Sequence, residues 1–173
     1  MKAVVVYESL WGSTAAVARA IAKGIGPDAK VMPTAEATPE AIAGADLIVA
    51  GAPVHSMSIP TEQTREWART GSLGPNGAPP DLSHPMMRTW LSELPKGQGF
   101  SAAFDTRVRA WYGRGAAPRI DKALKNAGYR PIAKPRGFYV TGHLIKPTTD
   151  GTLREGEEER ARQWGAELAR AMK

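Results

Sequence analysis

The sequence predicts an α/β protein in which a doubly wound parallel sheet of five strands lies between two layers of helices, giving three layers. Short apolar and β-branched runs alternate along the chain with longer segments whose apolar residues recur at helical spacing. Such alternation is typical of βαβ units, whose helices cover both faces of a parallel sheet. Five strands favour the order 2-1-3-4-5, in which ligands bind at the carboxyl ends of the first, third and fourth strands.

Five segments have the composition of strands. The first is a β-branched run close to the start of the chain, and the third is the clearest because Leu47, Ile48 and Val49 are consecutive. The last strand is expected to be split around Pro135. The predicted strands are residues 3–7, 30–33, 46–51, 99–104 and, in two pieces, 132–133 and 138–141.

The segments between the strands carry helix signals. Val17, Ile21 and Ile25 recur at helical spacing after the first strand. Thr38 is expected to cap a second, short helix whose first residue is Pro39. The remaining helices are predicted over residues 60–69, 84–94, 118–127 and 155–172.

Tryptophan and methionine residues on these helices indicate which sides are buried. Three tryptophans lie at helical spacings and are expected in the core: Trp67, Trp90 and Trp164. Met86, Met87 and Trp90 belong either to a core helix or to a dimer face, so a monomer and a homodimer are both open. Residues 71–83 are rich in Gly and Pro and predict a surface excursion, which is either a lid or a plain loop.

Composition restricts the possible chemistry. The chain has 173 residues, which suits one domain over 1–173, and its lack of cysteine excludes disulfides, thiol catalysis and cysteine-ligated metals. The formal net charge is +6, but the basic residues are scattered, so we expect no nucleic-acid site. No run approaches the ~20 apolar residues needed to span a bilayer, and we expect a cytoplasmic protein. The three histidines have no mutual spacing that indicates a metal.

The sharpest motif is a bend that joins the first strand to the first helix. This hydroxyl bend comprises Ser9, Leu10, Trp11, Gly12, Ser13 and Thr14. Free N–H groups at a helix N-terminus suit a phosphate, glycine allows close approach, and hydroxyls add donors. The bend contains no Lys or Arg and is not a Walker A loop, which favours a terminal phosphate that stays bound. Alternatively, Ser13 or Thr14 merely caps the helix and Gly12 merely turns the chain.

With Ser9, Gly12 and Thr14 at these places, the bend resembles the first loop of the flavodoxin family, Ser/Thr-x-x-Gly-x-Ser/Thr after an aromatic or apolar residue. That loop holds the phosphate of FMN, so the resemblance implies FMN as a non-covalent cofactor. Residues 138–142, Asp150-Gly151 and a helix with Trp164-Gly165 are similar to bacterial stand-alone flavodoxin-domain proteins. The resemblance spans nearly the whole chain, and residues 71–83 are its main departure.

Two further loops are implied by the resemblance to contact the flavin. The loop that runs along the isoalloxazine ring corresponds to Pro53, Val54, His55, Ser56 and Met57. The loop that meets the pyrimidine edge corresponds to Phe104, Asp105, Thr106 and Arg107. Three nearby aromatic residues either cover the ring or pack elsewhere: Trp11, Trp111 and Tyr112. His55 either bonds the flavin or passes a proton to it, or is bonded to neighbouring backbone.

The resemblance implies an FMN-binding redox protein, either an electron carrier or an FMN-dependent oxidoreductase, in which the flavin carries the chemistry. No general acid or base is assigned. Three departures from acidic one-electron carriers favour two-electron chemistry with a quinone-type acceptor, and the first is the net charge of +6. Residues 54–58 contain no glycine, so a turn with positive φ is expected to be costly. Arg107 and Arg109 are expected near the pyrimidine edge, where positive charge favours an anionic reduced flavin. A partner protein and NAD(P)H are the other expected redox partners.

Other functions share parts of this pattern. One alternative is a binding or regulatory module of the same fold that has lost FMN. A receiver domain is excluded, because Glu8 is the only acid after the first strand and the third strand ends without an aspartate. A dinucleotide fingerprint at Gly24-Ile25-Gly26 is disfavoured because it lies at a helix end.

Overall fold

A computed structural model describes residues 1–71, 74, 77–109, 115–142 and 151–173. Its strands are β1 (Ala3–Tyr7), β2 (Lys30–Pro33), β3 (Leu47–Pro53), β4 (Phe100–Val108), β5 (Arg130–Pro131) and β6 (Arg136–Val140). Its helices are α1 (Ser13–Ile25), α2 (Pro39–Ile42), α3 (Glu62–Gly71), α4 (Met87–Ser92), α5 (Ala117–Asn126) and α6 (Glu157–Ala171). Among the described residues, every helix is too short or too polar to cross a membrane.

The strands pair in parallel in the order β2-β1-β3-β4-β5, which confirms the predicted doubly wound topology. The last strand is divided, because Phe100 of β4 pairs with Arg130 of β5, whereas Phe104 pairs with Arg136 of β6. Tyr7, Gly51 and Phe104 are neighbours across β1, β3 and β4. The segments that follow these three strands therefore begin at the same edge of the sheet.

Helices α1 and α6 cover one face of the sheet, and α2, α4 and α5 cover the other. On the first face, Val5 of β1 packs in one buried cluster with Ile21 and Trp164. On the second face, Val4 belongs to a separate cluster with Ile120. Helices cover both faces of the sheet, so the central strands have apolar side chains pointing to either side. This explains their continuous hydrophobic runs.

Two glycines let α1 and α6 touch backbone to backbone. A Cβ added to Gly24 would lie 1.9 Å from the carbonyl oxygen of Arg162, and one added to Gly165 would lie 2.1 Å from that of Ile21. No side chain fits at either position. This contact fixes the position of α1, whose first turn carries the hydroxyl bend.

Two helices differ from expectation. The structure places α4 over only six residues, and Met87 and Trp90 are buried in the core rather than presented as a dimer face. The prediction that Trp67 lies in the core is wrong, since its side chain is 56% exposed. Helix α3 buries only Ala68, and adjacent helical residues point about 100° apart, so Trp67 faces outward.

Candidate functional site

The hydroxyl bend forms an uncapped helix N-terminus. Gly12 is the N-cap of α1 with φ +100°, and no side chain caps the helix there. The Gly12 N–H instead donates to Ser9 Oγ at 3.1 Å, which closes the bend. The interpretation that Ser13 or Thr14 is the cap is therefore wrong: glycine takes the cap position because the chain needs a left-handed φ.

The hydroxyls of the bend reach across to other elements. Thr14 Oγ1 and Thr106 Oγ1 form a buried hydrogen bond of 2.7 Å, and Ser13 Oγ donates to the carbonyl oxygen of Gly151 at 3.1 Å. These contacts bring the first and third predicted loops together. A crevice at this point, too narrow to admit a water molecule, is lined by Ser9, Leu10, Trp11, Ser13, Thr14, Thr106 and Val140.

Several backbone donors of the bend remain available. Within the described part of the chain, the N–H groups of Ser13, Thr14 and Ala15 donate to no protein acceptor, and the first intrahelical bond runs from Ala16 to Gly12. A Cβ at Gly12 would meet nothing within 4 Å, so the space beside it is open. Free N–H groups at the positive end of a helix suit a dianionic phosphate.

The segment after β3 is a tight hairpin turn. His55 and Ser58 exchange two backbone hydrogen bonds of 2.9 Å, and Ser56 and Met57 between them have φ of +47° and +61°. Two central residues with positive φ define a type I′ turn. The segment thus adopts positive φ without glycine, at positions where such a conformation is expected to be costly. The Val54 N–H donates to the Thr106 carbonyl at 2.9 Å, which ties the turn to β4.

The third predicted loop is part of a strand. Strand β4 continues through Val108 because β6 pairs with residues 104–108, so the expectation of a loop at Phe104 is wrong. Phe104 is fully buried and contacts Phe138 edge to face, with ring centroids 6.2 Å apart. Of the predicted loop-three residues, Thr106 reaches the hydroxyl bend. Trp111 and Tyr112 lie outside the described residues.

Asp105 and Arg107 form a paired site at the end of β4. Asp105 is fully buried, and its Oδ1 and Oδ2 accept from Arg107 Nε at 2.5 Å and Nη2 at 2.7 Å. Asp105 Oδ2 also accepts from the Ala117 N–H at 2.8 Å. Burial raises the pKa of Asp105, and Arg107 and the Ala117 N–H oppose that rise. A Cβ at Gly115 or Gly137 would collide with this pair, so both glycines make room for it.

Glu8 is a buried carboxylate at this edge that sequence reasoning did not assign to the site. Its side chain is 2% exposed, and Oε2 accepts from the Met87 N–H at 2.8 Å. Oε1 has no hydrogen-bond partner among the described residues and lies 3.9 Å from Arg65 Nε. Burial raises the pKa of Glu8, while the Met87 N–H, Arg65, His55 and Arg88 oppose the rise. An acid directly after a buried strand was the available signal.

Glu8→Gln is expected to remove a pH dependence of stability. The pKa of Glu8 in the folded protein lies above the usual 4.5, so the folded protein keeps this proton to higher pH than the unfolded chain. Wild-type stability should therefore fall as pH rises from the unfolded pKa through the folded one. The glutamine keeps an acceptor for the Met87 N–H but does not titrate. The free energy of unfolding of the variant, measured relative to the wild type, should therefore grow across that pH window and then level off.

Urea unfolding at a series of pH values measures this difference. Glu93→Gln, at an exposed position, is the control and should follow the wild type. Equal pH slopes for wild type and Glu8→Gln would show that Glu8 does not hold its proton differently in the two states.

Several solved structures share the fold of this chain over its whole length. No protein-family model matches the chain, and no curated protein matches it either. A flavodoxin from the domain Archaea superimposes with a TM-score of 0.63 at 22% identity, covering 99% of each chain. Oxidised flavodoxin 1 from Bacillus cereus gives 0.61 at 18% identity over 98% of each chain. A flavodoxin, WrbA-like protein from Agrobacterium tumefaciens gives 0.57 at 22% identity, covering 99% of this chain and 96% of its own. Since the likeness covers whole chains and the strand order agrees, this protein has the flavodoxin-like fold.

Proposed function

We propose that this protein is a redox protein that binds FMN without a covalent bond and grips the FMN phosphate with the hydroxyl bend. The observation that carries the proposal is the uncapped N-terminus of α1, where three N–H groups find no acceptor among the described residues. The whole-chain likeness to flavodoxins supports the same cofactor. When bound, FMN would supply the redox chemistry, and the protein would supply its placement and electrostatic surroundings.

The residues at this edge fit such a cofactor. The N–H groups of Ser13, Thr14 and Ala15 would hold the phosphate, and Gly12 leaves the space beside the bend open. The type I′ turn after β3 would present backbone to the ring, and it is held toward β4 by the Val54 N–H. The absence of a cation from the bend favours a phosphate that stays in place.

The finer proposal is two-electron chemistry with a quinone-type acceptor. It is supported by the positive charge of the protein. Ser56 and Met57 have positive φ, so the lack of glycine in the turn does not favour two-electron chemistry. Arg107 is partly neutralised by Asp105, but its side chain remains 20% exposed, and Arg109, two residues further along the chain, is exposed. Together with a net charge of +6, these residues favour anionic partners and an anionic reduced cofactor.

The purified protein is expected to bind FMN about 100-fold more tightly than riboflavin, which has the same ring but lacks the phosphate. Two charge-assisted hydrogen bonds to the phosphate suffice for that ratio. Quenching of flavin fluorescence during titration gives both dissociation constants. Gly12→Ala should weaken FMN binding more than riboflavin binding, because alanine is strained at φ +100°.

Equal affinities for the two flavins would refute a phosphate grip at the bend. Failure to bind either flavin would favour the alternative of a binding module that has lost its cofactor. Anaerobic reduction of the FMN-loaded protein shows how many electrons are taken up in each step. Passage from the oxidised to the fully reduced spectrum in one step supports the two-electron proposal.

A further inference from the structure

Part of the excursion between α3 and α4 is fastened to the hydroxyl bend by an indole. The term excursion refers to the residues that the structure describes in this segment, Gly74 and 77–83. The Gly74 N–H donates to the Ala78 carbonyl oxygen at 2.9 Å, and the Gly77 N–H donates to the Gly74 carbonyl at 3.0 Å, which holds these three residues together. The Ala78 carbonyl also accepts from Trp11 Nε1 at 3.0 Å. The Ala78 carbonyl therefore joins the excursion to the hydroxyl bend.

A second bond joins the same two segments through their backbones. The Asp81 N–H donates to the Leu10 carbonyl oxygen at 2.7 Å. Asp81 is itself held in place, because its Oδ1 accepts from the Ser83 N–H at 2.9 Å and from Ser83 Oγ at 2.6 Å. Leu10 and Trp11 are consecutive, so the two bonds hold adjacent residues of the bend.

Gly74 of the excursion packs against the pyrrole side of the Trp11 ring. A Cβ added to Gly74 would lie 1.9 Å from Trp11 Cδ1 and 2.1 Å from Nε1, so the glycine backbone packs directly on the indole. Of the two sequence interpretations of Trp11, ring cover and ordinary packing, the contacts support packing against the excursion. The excursion in turn has a structural attachment that its Gly- and Pro-rich sequence does not reveal.

We propose that Trp11 is a positioning residue that fixes the shape of the hydroxyl bend by fastening it to the excursion. Leu10 and Trp11 lie between Ser9 and Gly12, whose hydrogen bond closes the bend. Holding these two residues keeps the N–H groups of the bend in one orientation, which is what a phosphate site requires. The consequence for cofactor binding rests on the proposed function, whereas the fastening itself is a property of the protein alone.

Variants on each side of the contact test this proposal. Trp11→Phe removes the Nε1 donor but keeps an aromatic ring. The methyl group of Gly74→Ala would overlap the indole and so separate the ring from the excursion. Trp67→Phe and Gly71→Ala are the matched controls, because Trp67 is largely exposed and a Cβ on Gly71 meets nothing within 4 Å. Amide hydrogen exchange of the cofactor-free proteins and dissociation constants for FMN and riboflavin are measured for all four.

In cofactor-free Trp11→Phe and Gly74→Ala, the Asp81 and Gly12 amides should exchange faster than in the wild type and in both controls. Each variant should bind FMN about 3- to 10-fold more weakly, the range expected for one hydrogen bond, and riboflavin unchanged. A merely structural loss would weaken both flavins alike. Unchanged exchange, or a parallel loss of both flavins, would overturn the proposal. If the wild type binds no FMN, the proposed function fails, and the exchange data alone decide whether Trp11 holds the bend.

Discussion

Gly24→Ala is expected to destabilise the fold by roughly 1–3 kcal/mol, the usual range for forcing an extra methyl group into a packed interior. In a solvent-exposed helix the same change would stabilise by up to ~1 kcal/mol, because alanine is the better helix former. Here the new Cβ would lie 1.9 Å from the Arg162 carbonyl oxygen, so α1 and α6 must separate. Urea unfolding monitored by circular dichroism measures the loss.

Gly71→Ala is the control for Gly24→Ala. Gly71 also lies in a helix, at the end of α3, but a Cβ there meets nothing. This variant should be neutral or slightly stabilising. A Gly24→Ala protein as stable as Gly71→Ala would mean that α1 and α6 do not make the backbone contact. Since α1 carries the hydroxyl bend at its first turn, the destabilised variant should also release FMN at lower urea concentration.

Asp105→Ala is expected to cost about 3–5 kcal/mol, the range for breaking a buried ion pair from one side. The change leaves the Arg107 guanidinium without its two carboxylate bonds and the Ala117 N–H without an acceptor. Both groups lie in a tightly packed place, because Gly115 and Gly137 press against the pair. Water therefore replaces the lost oxygens poorly. Chemical unfolding gives the free-energy difference.

An exposed ion pair provides the matched control. Glu66 and Arg69 pair within α3, with side chains 54% and 59% exposed, so Glu66→Ala should change stability far less than Asp105→Ala does. Asp105→Asn keeps the size of the side chain and should be milder than Asp105→Ala. The idea that this pair anchors the end of β4 falls if Asp105→Ala is no more harmful than Glu66→Ala.

Local patterns predicted most of the fold. Strands β1 and β2 have the predicted bounds, and α1 follows the Val17, Ile21 and Ile25 spacing. Thr38 caps α2 with Pro39 at its first position, because its Oγ1 accepts from the Ala41 N–H at 3.2 Å. These features depend on residues a few positions apart, so neighbouring residues alone contain the information.

The predictions from sequence are wrong where residues distant in the chain determine the local structure. Strand β4 runs past Phe104 because residues 136–140, some thirty positions later, supply its hydrogen-bond partners. Trp67 is exposed although its helix was correctly expected, since the core takes the adjacent Ala68 instead. Periodicity cannot show which side of a helix a distant sheet will cover.

The strand order, the flanking helices and a hydroxyl bend with glycine at its turn could all be predicted from the amino-acid sequence, because apolar periodicity and backbone preference act over short distances. Three contacts could be found only in the folded protein: Thr14 bonds Thr106, Asp105 pairs with Arg107, and Trp11 bonds the excursion. The first and third contacts join residues far apart in the chain, and the second is enclosed by Gly115 and Gly137, which belong to other segments. Their geometry follows from how the whole sheet and its helices pack, which no local pattern encodes.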